Sequence, residues 1–177
     1  MQLRWNRYNR NMSATILRSN SYGPLTEEVL EDFERELKAQ LPNDYRAFLL
    51  QHNGGTPQPA CFLAPDDPLE GDASPQSERE VVCFFALHHQ EWDDSTPEGS
   101  LAFPLQEAWR DLVAEQPEGN LLPIGKDWSG NYVCLAYAGE QEGQILFYNH
   151  EYEVSTPLTK GFDGFLAELQ PCQQSSV

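Results

Sequence analysis

Adjacent carboxylates at Asp66-Asp67 and Asp93-Asp94 are the first residues of this chain whose types could do chemistry, as a general acid and a general base. That work needs carboxylates held in a shielded site that drives their pKa values apart. Both pairs instead lie in Pro- and Ser-containing stretches, where acids stay solvated. His52, His88, His89 and His150 each lack an evident nucleophile or ligand companion. Neighbouring side chains on a strand point to opposite faces, so His88 and His89 cannot hold one metal together. Cys61, Cys83, Cys134 and Cys172 are far apart and form no CxxC, and three of them sit in the apolar stretches CFLA, VVCFFAL and YVCLAY. They read as reduced, buried, small hydrophobes rather than zinc ligands. There is no Gly-x-Ser-x-Gly elbow, phosphate loop, dinucleotide fingerprint or HExxH. The expectation is a protein with no catalytic residues, no metal and no cofactor.

With chemistry set aside, charge is the strongest signal. The 177 residues carry a formal net charge of −17, distributed unevenly. Residues 1–24 hold Arg4, Arg7, Arg10 and Arg18 and no acid, which leaves 7 bases against 28 acids in the remainder, a net of −21. Such a field opposes binding to nucleic acid and anionic membranes, and it speeds encounter with basic partners. The length suits one domain, which buries roughly 70% of its unfolded surface and needs no disulfide to hold a core. No apolar run approaches the roughly 20 residues that span a bilayer, and the first residues lack a secretory h-region, so the expected location is the cytoplasm.

The elements that must position any site follow from periodicity and punctuation. Residues 1–24 read as a basic tail with one strand around Ala14–Leu17, residues 25–170 as the folded domain and residues 171–177 as a C-terminal tail. Thr26 N-caps a helix over 27–40, in which Leu30, Phe33 and Leu37 form the apolar stripe. Glu31 with Arg35 and Glu34 with Lys38 form i,i+4 pairs on its outer side. A second helix spans 43–52, with Asp44 favourable near its positive end and Asn53-Gly54-Gly55 supplying a left-handed cap. Tyr45, Phe48 and Leu49 fit its buried stripe, while Asn53 is open between a structural role and contact with a partner. Residues 56–79, rich in Pro, Asp and Ser, read as a long loop with a short strand at Cys61–Leu63. VVCFFALHH, at 81–89, reads as a strand. Leu101, Leu105, Ala108, Trp109 and Leu112 mark a third helix. Three antiparallel strands follow within 121–150, and a last helix carries Phe162, Phe165, Leu166 and Leu169.

LPNDYRAFLLQHNGG, preceded by the acidic EEVLEDFERELKAQ and followed by LLPIGKDWSGNYVCLAY and ILFYNHE, resembles the SUKH superfamily over roughly residues 25–170. Its members include bacterial immunity proteins and the fungal cell-wall-assembly regulator of the Smi/Knr type. The resemblance implies a single α+β domain, a mostly antiparallel sheet packed with about four helices, used as a protein-binding module. The function it implies is that of an immunity protein that neutralises a cognate toxin, a basic nuclease for example. The alternative is a regulatory scaffold binding an endogenous partner. Where relatives often carry Gly-Asp after the turn, this chain has Gly130-Asn131, so Asn131 joins the candidate contact residues.

The residues expected to meet the partner are the acids of the loops, Asp66, Asp67, Asp93, Asp94 and Asp127, together with Trp92 in EWDD and Trp128 in KDWSG. Aromatic side chains ringed by polar groups are frequent hot spots. The other reading is that both indoles cover the edge of the core.

Overall fold

The computed structural model describes residues 14–20, 22–66, 69, 74–88, 104–116 and 119–173. Thr26 accepts the N–H of Val29 and opens helix α1, Glu27–Leu37, whose buried stripe is Leu30, Phe33 and Leu37. The helix stops earlier than its pattern predicts because Lys38 turns left-handed, at φ 58°. Helix α2, Asn43–His52, begins after Pro42 and buries Tyr45, Phe48 and Leu49. Asn53 ends it in the left-handed region, at φ 41°. Gly55 follows at φ 119°, where a Cβ would lie 2.6 Å from the carbonyl oxygen of Leu17, so no side chain fits. The ion pairs differ from those expected. Arg35 pairs with Asp32, while Glu34 reaches Arg46 on α2 and accepts the N–H of Leu41 at 2.7 Å. Arg46 also holds Glu27 at 2.7 Å, so its guanidinium fastens α2 to α1.

The strand expected near Ala14–Leu17 is β1, Thr15–Leu17, which pairs antiparallel with β2, Thr56–Gln58. The supposed long loop over 56–79 is more ordered than its prolines imply. It contains β2, β3 at Cys61–Pro65 and β4 at Gln76–Glu80, and the last two form an antiparallel ribbon. The apolar run at 81–89, by contrast, contributes only β5, Cys83–Phe84. Its backbone bonds are divided between two neighbours: Phe84 exchanges hydrogen bonds with Gly55, and Phe85 donates to Ile124.

Helix α3, Leu105–Glu115, precedes strands β6, Leu121–Lys126, β7, Tyr132–Ala136, β8, Gln144–Asn149, and β9, Val154–Lys160. Leu101 lies outside the described residues. The five strands β5 to β9 form one antiparallel sheet in chain order. Helix α4, Phe162–Glu168, follows. Alternation along the strands sorts two faces. Val133, Leu135, Ile145 and Phe147 point into the main core, beneath Leu30, Phe33, Tyr45, Phe48, Phe84, Phe162 and Phe165. Phe84 makes edge-to-face contacts with Phe48 and Phe162, each at 5.3 Å. Full burial of each such ring contributes about 2 kcal/mol. Cys134 and Tyr148 point the other way and are covered by Leu112 of α3. The architecture is a single α+β domain with antiparallel sheets and, among the described residues, four helices. None of these helices is long and apolar enough to cross a membrane.

The cysteines require a correction. Cys83 and Cys134 are free and buried as expected, and burial pushes the Cys83 thiol up to about 12 and raises that of Cys134 further. Cys61 and Cys172, however, form a disulfide across 111 residues. A backbone bridge sets them side by side: Cys61 donates to the Gln170 carbonyl at 3.0 Å, and Gln170 donates back at 2.8 Å. Their separation in sequence hid a pairing that the return of the chain end creates.

Candidate partner-binding site

The turn between β6 and β7 is built around one buried carboxylate. Asp127 Oδ1 accepts the N–H groups of Ser129 and Asn131, both at 2.9 Å, and Oδ2 accepts Asn131 Nδ2 at 3.0 Å. An acid whose side chain bonds its own following backbone fixes a tight turn. Asn131 in turn presents Oδ1 to the His150 N–H at 3.3 Å, and His150 Nδ1 lies 2.9 Å from the same oxygen. The β6–β7 turn is thereby tied to the β8–β9 turn at one end of the sheet. Both Asp127 and Asn131 are buried and spend their polar groups internally.

Trp128 stands at the tip of this turn. It is 71% exposed, and its Nε1 donates to Glu80 Oε2 at 2.8 Å. The indole is anchored at its polar edge while its face is open to solvent. Glu80 closes the β3–β4 ribbon, where it pairs with Cys61. Alternation puts Glu78 on the same outward face, opposite Leu63, which is 40% exposed. The inward positions are Phe62, against Phe147 and Phe165, and Arg79, whose guanidinium lies 5.7 Å from the Phe147 ring centre. Two exposed apolar side chains therefore flank two carboxylates. A cleft of about 290 Å³ lies between the Trp128 turn and the ribbon, with Glu78, Glu80, Gln173 and the Cys61–Cys172 disulfide among its walls.

Asp66 is at the far end of the same ribbon, beside Arg79 at 3.5 Å. The ribbon from Cys61 to Asp66 is about 17 Å long at the usual strand rise, so Asp66 and Trp128 do not share one contact point. Asp67, Trp92, Asp93 and Asp94 lie outside the described residues. Of the eight expected contact residues, the structure gathers Asp127, Trp128 and Asn131 in one turn and sets Asp66 apart. Glu78, Glu80 and the disulfide were missed. The strand QSERE is polar at every position and carries no alternation to betray it.

The motif LPNDYRAFLLQHNGG has a structural account in the same terms. Asn53 Nδ2 donates to the carbonyls of Leu87, at 2.9 Å, and Gly23, at 3.0 Å, and its Oδ1 accepts the Leu87 N–H at 2.9 Å. The question of Asn53 resolves in favour of structure. It joins the end of α2 to the segment after β5.

The SMI1/KNR4 family (SUKH-1) matches residues 24–168. The chain is also similar to the SPbeta prophage-derived uncharacterized protein YokK of Bacillus subtilis (strain 168), with 29% identity over 139 residues. That alignment takes in 71% of this chain and 62% of the relative, so the chain spans less than two thirds of the relative's length. No solved structure gives a significant match. The family match runs from just before α1 to the last residue of α4 and includes every strand of the main sheet, and the chain belongs to the SMI1/KNR4 family (SUKH-1).

Proposed function

We propose that this is a non-enzymatic immunity protein of the cytoplasm, which binds a cognate basic toxin and covers the toxin's working surface. The observation that carries this reading is Trp128, exposed on a turn that Asp127 and Asn131 make rigid and flanked by Glu80 on an acidic chain. A preordered aromatic anchor loses little freedom on binding. The carboxylates beside it suit a lysine or arginine of the partner, which can place its charge against Glu80 and its stem on the indole. Asp66 adds to the attractive field at a distance, as Asp67, Asp93 and Asp94 do in this reading, and Trp92 serves as a second aromatic anchor. Family membership supports a protein-binding role, and a relative of prophage origin is compatible with a gene carried beside a toxin.

The second reading, a regulatory scaffold for an endogenous partner, draws on the same family. Gene neighbourhood and co-expression separate the two. A toxin encoded next to this gene should lose its toxicity when the two are co-expressed, and the two chains should co-purify. A folded, active neighbouring toxin that neither binds nor is blocked would overturn the immunity reading.

A further inference from the structure

Beside the Trp128 turn, the outward face of the β3–β4 ribbon holds a group whose chemistry goes beyond contact with a partner. Cys61 Sγ, Cys172 Sγ and a carboxylate oxygen of Glu78 all lie within 4.8 Å of one another. Glu78 sits diagonally from Cys61 across the ribbon, a spacing that a long side chain can span. One of its oxygens, Oε1, accepts the N–H of Gln173 at 2.8 Å. The other, Oε2, is buried and has no hydrogen-bond partner among the described residues. A desolvated carboxylate oxygen left unpaired is costly, and a cation beside it would remove that cost. The disulfide is neutral and cannot do so. Two thiolates, moved apart once the sulfur–sulfur bond is broken, and the Glu78 carboxylate could.

We propose that Cys61, Cys172 and Glu78 form a redox-gated zinc site: a disulfide when oxidised, and a three-ligand site for Zn²⁺ when reduced. A thiol or dithiol reductant delivers two electrons and two protons to the sulfur–sulfur bond and is itself oxidised to a disulfide. Zn²⁺ then displaces the two thiol protons to solvent and binds both thiolates and the Glu78 carboxylate, with water in the fourth position of its tetrahedron. Thiolate ligands select zinc over calcium or magnesium. In both states the segment at Gln170–Gln173 stays fastened to the ribbon, by a covalent bond in one and by the metal in the other. The two remaining thiols are poor competitors, since Cys83 and Cys134 are buried in apolar surroundings with raised pKa values.

Cobalt is the probe. The full chain is reduced, freed of reductant without air and titrated with Co²⁺, followed by Zn²⁺. One equivalent of Co²⁺ should produce thiolate-to-cobalt charge-transfer absorption and the strong visible bands of a tetrahedral ion, and Zn²⁺ should bleach both. The oxidised chain should give neither signal and should show two fewer free thiols on denaturation. Cys172→Ser should lose the charge-transfer band. Glu78→Gln, which keeps both sulfurs, should weaken Co²⁺ by no less than the roughly tenfold that removal of an outer-shell partner costs. A reduced chain that gives no tetrahedral cobalt spectrum overturns the proposal without recourse to any variant. So does a signal that survives in Cys61→Ser and Cys172→Ser alike, or a cysteine pair that cannot be oxidised.

Discussion

The carboxylate of Asp44, on α2, accepts the backbone N–H of Phe162 at 2.7 Å, 118 residues later, and that of Asp163 at 3.2 Å. Asp44 is read from sequence as serving the positive end of its own helix, and its Oδ1 does accept the N–H of Tyr45 at 2.8 Å. Its other oxygen caps α4. Removing such a cap typically costs about 1 kcal/mol. Asp44→Ala should therefore lower the denaturant midpoint with no change in slope, while Asp44→Asn, which keeps one acceptor, should lose less. An unchanged midpoint in Asp44→Ala would show that the bond contributes nothing net.

Tyr45 has the opposite sign. Its hydroxyl is fully buried without a hydrogen-bond partner among the described residues, and burial holds its pKa far above the usual tyrosine range. The ring packs against Phe48 and Phe162, contacts that phenylalanine would keep. Because an unsatisfied buried hydroxyl costs about 1–3 kcal/mol, Tyr45→Phe should leave stability unchanged or raise it. A clear loss in thermal or chemical denaturation would reveal a partner for the hydroxyl.

Much of this fold is legible in the sequence wherever side-chain period and backbone punctuation agree. Helix α2 has both, a stripe of Tyr45, Phe48 and Leu49 and a stop at Asn53-Gly54-Gly55, and its span is found as expected. Strand β9 has neither. Pro157 interrupts VSTPLTK, and it is tolerated because β9 is an edge strand with a register irregularity beside it. The site divides the same way. Trp128 is recognisable as an aromatic among acids, whereas Glu80 becomes its partner only through ribbon pairing between distant segments. Asp127 and Asn131 look like surface polar residues until the turn is built around them.

That distinction between anchor and support can be measured. Trp128→Ala should weaken partner binding by about 2 kcal/mol or more and leave the melting temperature near its original value. Asp127→Ala should reduce both affinity and stability, since the turn then loses acceptors for two backbone N–H groups and one amide. Stability lost in Trp128→Ala with affinity intact would assign the indole to the fold.

The acidic body sets a second expectation for binding. Association should slow as salt rises, because long-range attraction is screened, while dissociation changes less. Stopped-flow or surface-based kinetics over a salt series reads both rates. An association rate indifferent to salt would transfer the interaction to apolar surface such as Leu63 and Trp128 alone.

Titration of the purified chain into its active toxin tests the central claim most directly. A protein that acts by covering its partner must be consumed mole for mole, so toxin activity should fall in proportion to added chain and vanish at one equivalent. Trp128→Ala should shift that curve to higher concentration. Complete inactivation by a small fraction of an equivalent would mean turnover, and with it an enzyme; full activity of the neighbouring toxin in the presence of excess chain would contradict the immunity reading.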